Sequence, residues 1–186
     1  DGMGHLDTVP NDYRSGVGTS FASPFVAGAA GLVIEALERT GTTWDFTSNR
    51  HPRLVKMLLC ATATETNDIR QGGQRNPSLE RNAPGAEGFP AGKDRYEGYG
   101  LINVDAAVEA AGSVYTPGSI VTVALGGGTT DRRAWAGTTN LSAGAGIDLS
   151  LDNPATADFD LYLYSMTPSD TGTPVVLAAS TSAQAG

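Results

Sequence analysis

The run from Thr19 to Arg39 constrains this chain more than any other stretch: it reads TSFASPFVAGAAGLVIEALER. Its residues are small or apolar on nearly every side until Glu35. A helix apolar all round belongs in an interior, with neighbours approaching closely over Ala27 to Gly31. Thr19 is placed to cap its start and Gly41 to end it. Pro24 falls in the first turns and cannot donate to the Ser20 carbonyl, which bends or loosens the start without preventing it. A serine at such a start meets the positive end of the helix dipole and amide hydrogens that lack helical partners. The Ser20 N–H could hold the oxyanion formed when the Ser20 hydroxyl attacks a carbonyl, and Gly18 adds no side chain to obstruct a substrate. Taken alone, Thr-Ser at a helix start is most often an ordinary cap.

A second helix is expected from about Pro52 to Thr62, with Pro52 at its first position and Leu54, Val55, Leu58 and Leu59 on its inner face. The single cysteine, Cys60, rules out an internal disulfide and reads as a buried structural thiol in the apolar run Lys56 to Ala63. A third, short helix follows Asn103 and ends at Gly112. Between them, Glu65 to Gly98 is polar and rich in Gly, Pro, Arg and Asn. Structureless connections beyond about 12–15 residues are uncommon in compact domains, so a lid, an ion site, a processing loop and disorder all stay open for it.

After Gly112 the pattern changes. Thr116-Pro117-Gly118 reads as a linker or turn, and strand patterns follow at Ile120 to Leu125, Ile147 to Leu151, Phe159 to Tyr164 and Val175 to Ala178. Ile147, Leu149 and Leu151 alternate with Asp148 and Ser150; Phe159, Leu161 and Leu163 alternate with Asp160, Tyr162 and Tyr164. Period-two alternation broken by turn residues predicts an antiparallel sandwich with one face buried.

Composition narrows the function classes. At 40% hydrophobic residues, 17% charged and 24 glycines, the 186-residue chain fits a turn-rich α/β or β protein better than a cytosolic helical one. Twelve basic against twenty acidic residues give a net charge of −8, and no basic stripe with interleaved aromatics appears, which argues against nucleic acid as a partner. The acidity serves solubility or favours calcium. No stretch is expected to approach the roughly 18 apolar residues of a membrane span. The chain opens at Asp1 in mid-motif with neither an initiator Met nor a signal peptide. It reads as an internal or processed piece, so the lack of a signal says nothing about export.

The string Gly18-Thr19-Ser20-Phe21-Ala22-Ser23-Pro24-Phe25-Val26-Ala27-Gly28 resembles the signature around the catalytic serine of subtilisin-like serine proteases, Gly-Thr-Ser-Met-Ala-x-Pro-His-Val-Ala-Gly. Phe21 stands where Met is usual and Phe25 where His is usual; neither family residue belongs to the catalytic triad. Asp7-Thr8-Val9-Pro10 resembles the family's approach to that serine, and the stretch Tyr99 to Val108 resembles the segment that closes its catalytic domain. Three segments in family order cover roughly residues 1–112.

The resemblance implies the C-terminal portion of a subtilisin-like three-layer α/β fold over residues 1–112, then a linker at 113–118 and an all-β, sandwich-like segment over 119–186. The last part is similar to a pre-peptidase C-terminal domain, through Asp158-Phe159-Asp160-Leu161-Tyr162-Leu163-Tyr164 after Ala143 to Leu149, and is expected to be incomplete. The resemblance also implies a serine endopeptidase acting on polypeptide, outside the cell or on its surface, with Ser20 as nucleophile and its N–H as one oxyanion donor. Thr19 and Gly18 support the oxyanion site, and the chemistry requires no cofactor. The family's Asp, His and oxyanion Asn precede its serine by more residues than stand before Ser20 here, and none of those segments is found. The expected partner is therefore the N-terminal part of the same catalytic domain, in cis or as a separate chain, and this chain alone should hydrolyse peptides poorly.

Neither histidine fills the gap: His51 reads as a cap or solvated residue beside Pro52, and His5 has no motif around it. Asp158 and Asp160 share a strand face, where they either share a structural calcium ion or stand as two solvated carboxylates. The stretch Asp94 to Glu97 is not distinguished from a polar loop. The alternative is a catalytically inactive relative kept as a structural or binding protein of the cell surface. A further reading makes the β segment a docking module for substrate or cell surface.

Overall fold

The computed structural model describes residues 16–45, 47–64, 98–123, 125, 134–146, 148 and 161–180. In chain order these hold α1 (Thr19–Arg39), α2 (Arg50–Ala61), α3 (Val104–Gly112), β1 (Val114–Tyr115), β2 (Thr138–Thr139), β3 (Leu161–Tyr164) and β4 (Val176–Ser180). The mixed α/β character predicted from the sequence is present. The expectations for His5, for the 65–97 loop, for Asp158 and Asp160 and for most of 147–151 fall outside the described residues.

Gly18, rather than Thr19, caps α1: its carbonyl accepts from Phe21 N at 3.0 Å and Ala22 N at 3.3 Å, and no side chain caps the helix. Thr19 is the first helical residue. The helix continues through Pro24 to Arg39 and closes with paired bonds, Gly41 N to Glu38 O at 3.0 Å and Thr42 N to Leu37 O at 3.0 Å. Those two bonds satisfy carbonyls that a helix end would otherwise leave bare. The Thr40 hydroxyl adds a bond to Leu37 O at 2.9 Å.

The all-round burial expected of α1 is not observed. Ala29, Val33, Ala36 and Leu37, one stripe at helical spacing, are its buried residues. That stripe meets α3 through Ala107, Ala110 and Ala111, and α2 through Val55, Met57 and Leu58. Alanines on the α3 side let the two backbones approach closely, and Val33 and Met57 fill the space between the three helices. By length and mean hydropathy, 1.5, α1 reaches the range of a membrane-crossing helix, contrary to the expectation that no stretch approaches it; core helices of soluble proteins reach the same range.

Helix α2 begins two residues before Pro52, which still lies in the first turn, where a missing N–H costs nothing. Its buried residues are Val55, Met57 and Leu58, with Leu54 and Leu59 packed at the margin and Cys60 half-buried rather than enclosed. After α2, Thr64 and Leu101 exchange backbone bonds of 2.7 Å each, bringing the start of α3 beside the end of α2. Asn103 then caps α3, its side-chain oxygen accepting from Ala106 N at 3.1 Å.

The connection before α2 is fastened by side chains. Asp45 accepts from Thr47 N at 2.8 Å and from the Thr47 hydroxyl at 2.6 Å. Asp45 N in turn donates to His51 Nδ1 at 2.8 Å, and the His51 ring lies 5.2 Å from that of Trp44. Hydrogen bonds to the Ser48 side chain first, then to the Thr47 hydroxyl and backbone, hold the Asp45 carboxyl well below the usual carboxylate range.

Among the described residues the strands form two separate two-stranded sheets. β1 pairs with β2 in parallel, and β3 pairs antiparallel with β4 from Leu161↔Ser180 to Tyr164↔Val176, with an irregularity at Leu163/Tyr164. All four β3 residues are half-buried, so the in-out alternation of its sequence has no matching difference in burial. Residues 120–123, predicted to begin a strand, are not in one, and Ile120 is 94% exposed. Pro117-Gly118 turns the chain there, with Ser119 N bonded to Thr116 O at 3.0 Å, and among the described residues no strand pairs with 120–123.

Two outcomes check this packing. Ala107→Leu should overpack the contact between α1 and α3 and cost about 1–3 kcal/mol in denaturant unfolding. The depressed Asp45 stabilises its turn fully above the unfolded carboxylate value of about 3.9 and loses that contribution as pH falls through the lower folded value. The Thr47 amide resonance should therefore be unchanged at about pH 4; a midpoint there would contradict the bonded turn.

Candidate active site

Ser20 is the second residue of α1, and its position follows from the backbone before it. Gly18 has φ 153° and ψ 164°, a conformation that residues with a Cβ avoid. A Cβ there would meet nothing within 4 Å, so the demand for glycine is conformational rather than spatial. This adds a second role to the one read from sequence, unobstructed substrate access. The bend turns the chain directly into the helix and sets Thr19 and Ser20 on its opening turn, both exposed to solvent.

The Gly18 carbonyl takes the amides of Phe21 and Ala22, and among the described residues no carbonyl accepts from Thr19 N or Ser20 N. Two N–H groups without a carbonyl partner among the described residues thus stand at the positive end of a 21-residue helix, beside the Ser20 hydroxyl. Pro24, four residues after Ser20, brings no N–H to the Ser20 carbonyl. Chemically, the opening turn offers a hydroxyl that can act as a nucleophile and amide hydrogens that can receive negative charge.

Among the described residues no His is gathered beside Ser20. His51 is engaged in the connection that precedes α2, accepting from Asp45 N through Nδ1. Among the described residues no group of three or more His, Cys, Asp or Glu side chains is placed to hold a metal ion. Of the residues singled out from sequence, Gly18, Thr19 and Ser20 stand together, and His51 stands apart in a structural bond.

The feature that sequence reasoning missed is the outer face of α1. Phe25 is 74% exposed and Phe21 58%, and Val26 and Leu32 are also open. Beside Ser20's turn a broad apolar trough of about 380 Å³ is lined by Pro24, Phe25, Gly28, Ala29, Leu32 and Val104. The signal was present in the all-round apolar pattern, since the two shorter helices described, α2 and α3, cannot cover every side of a 21-residue one.

The family model of the subtilases, peptidase family S8, matches residues 3–100, more than half of the chain. The match spans α1 and α2 and stops just before α3, inside the Tyr99 to Val108 segment that resembles the end of the catalytic domain. No curated protein and no solved structure matches the chain. The match takes in Ser20 on its exposed turn and the apolar helix behind it, and on that ground the chain belongs to the subtilase family, whose kind of activity is serine peptidase.

Proposed function

We propose that this protein is a serine endopeptidase that hydrolyses peptide bonds with Ser20 as nucleophile. Ser20 Oγ attacks the carbonyl carbon, a His takes the hydroxyl proton and passes it to the leaving amine, and an Asp orients that His. Water then attacks the acyl-enzyme and releases the second product. The Ser20 N–H holds the oxyanion, with the Thr19 hydroxyl in support and Gly18 setting the backbone that carries both. The Asp, the His and the oxyanion Asn come from an N-terminal part of the same catalytic domain, in cis or as a separate chain. One observation carries this reading: an exposed Ser20 stands at a helix start whose first two amides have no carbonyl partner among the described residues, next to an exposed apolar face able to receive the complementary part.

The finer organisation is part of the same proposal. Residues 119–186 are read as a sandwich-like module similar to a pre-peptidase C-terminal domain, which the antiparallel β3–β4 pair supports. Its acidic pair Asp158 and Asp160 is a candidate for structural calcium, and an extracellular or cell-surface location follows from the family resemblance. A second reading, an inactive relative that serves in binding or assembly, is favoured by the absence of a base near Ser20 among the described residues.

A fluorophosphonate probe separates the two, because it labels only an activated serine. The protein as the cell makes it should be labelled, and Ser20→Ala should abolish labelling and lower kcat by about four orders of magnitude or more. Labelling unchanged in Ser20→Ala would remove Ser20 as nucleophile; no labelling of the unaltered protein would favour the inactive relative. Gly18→Ala should strain the turn by about 1–3 kcal/mol and slow labelling, although the added methyl touches nothing.

A further inference from the structure

The residues that follow the matched stretch return to the helices at two places. Residues 134–139 come back to α3. Trp135 Nε1 donates to Glu109 Oε1 at 3.0 Å, and its ring lies 5.4 Å from that of Tyr115. Ala136 packs against the helical core, and the Thr138 hydroxyl donates to Ser113 O at 2.9 Å, at the end of α3. The turn between β3 and β4 comes down on α2. Lys56 Nζ donates to Thr171 O at 2.8 Å, and Arg53 Nη1 lies 3.5 Å from Asp170. At the centre of that turn Gly172 has φ 76°, and a Cβ on it would stand 3.2 Å from Arg53 Cα and 3.3 Å from Arg53 O. The turn therefore sits on the α2 backbone itself, and both the dihedral and the contact call for glycine.

Long charged side chains on a surface hold little by themselves. An indole nitrogen bonded to a carboxylate, an alanine seated on the core and a backbone-to-backbone approach are contacts of another kind, because ordering them requires α2 and α3 to be in place. We infer that residues 134–139 and 169–172 form an intramolecular interface that clamps α3 and α2 from outside, so that the C-terminal segment and the helical core in which α1, the helix carrying Ser20, is packed open as one cooperative unit rather than as a domain with a tethered module. The inference does not depend on peptidase activity, since it concerns opening of the fold.

Hydrogen exchange followed by mass spectrometry on the whole protein reads this directly. Gly172→Val should accelerate exchange on the order of tenfold in peptides from β3–β4 and, to a similar extent, in peptides covering α2. Trp135→Phe, a milder change that deletes the bond to Glu109, should accelerate exchange by a few-fold in peptides from 134–139 and in peptides covering α3, and decides the matter if Gly172→Val does not fold. Acceleration confined to the element that carries the substitution, or none in either variant, would overturn the inference.

Discussion

The close contact between α1 and α3 is the interaction on which the described structure depends. Small side chains meet there, Ala36 on one helix and Ala107, Ala110 and Ala111 on the other, with Val33 and Met57 closing the remaining space. Side chains this small bring dispersion contacts through backbone proximity rather than bulk, so the pairing tolerates little added volume. It also fixes the direction of α1 and therefore where its first turn stands. Everything said about Ser20 rests on that direction, because the hydroxyl and the open amides belong to the end of α1 that no other described element covers.

The other side of the same helix gives the arrangement its functional meaning. Phe25, Val26 and Leu32 continue the apolar surface past the point where α2 and α3 stop covering it. A helix apolar on both sides is built to lie between two layers, and one layer is described here. Under the proposed function the second layer also carries the base and the acid that orients it. Burial of Phe25 and completion of the catalytic group would then be the same event, and Ser20 would be activated only in the assembled domain.

Much of this was legible in the sequence, for identifiable reasons. A helix start after Asn103, the stop at Gly41 and the apolar stripe of α2 are local signals, set by residues within a turn of one another, and each appears in the structure, where Asn103 also proves to be the cap. The string of Gly18, Thr19, Ser20 and Pro24 marked a helix start, and the structure sets Thr19 and Ser20 on the exposed opening turn of α1. Non-local partners were not legible. Nothing in the letters says that His51 Nδ1 will accept from Asp45 N, or that Trp135 will return to Glu109. Strand patterns failed where no partner strand pairs with them, as at Ile120, because alternation expresses a preference for a half-buried surface and does not supply one.

The central claim is that the outer face of α1 is an interior surface of the complete catalytic domain. Carbene footprinting of the protein as the cell makes it tests this against references within the same chain. The account predicts that Phe25 and Leu32 are labelled as weakly as fully enclosed Val33. Labelling of both as strong as that of open Ile120 would contradict it.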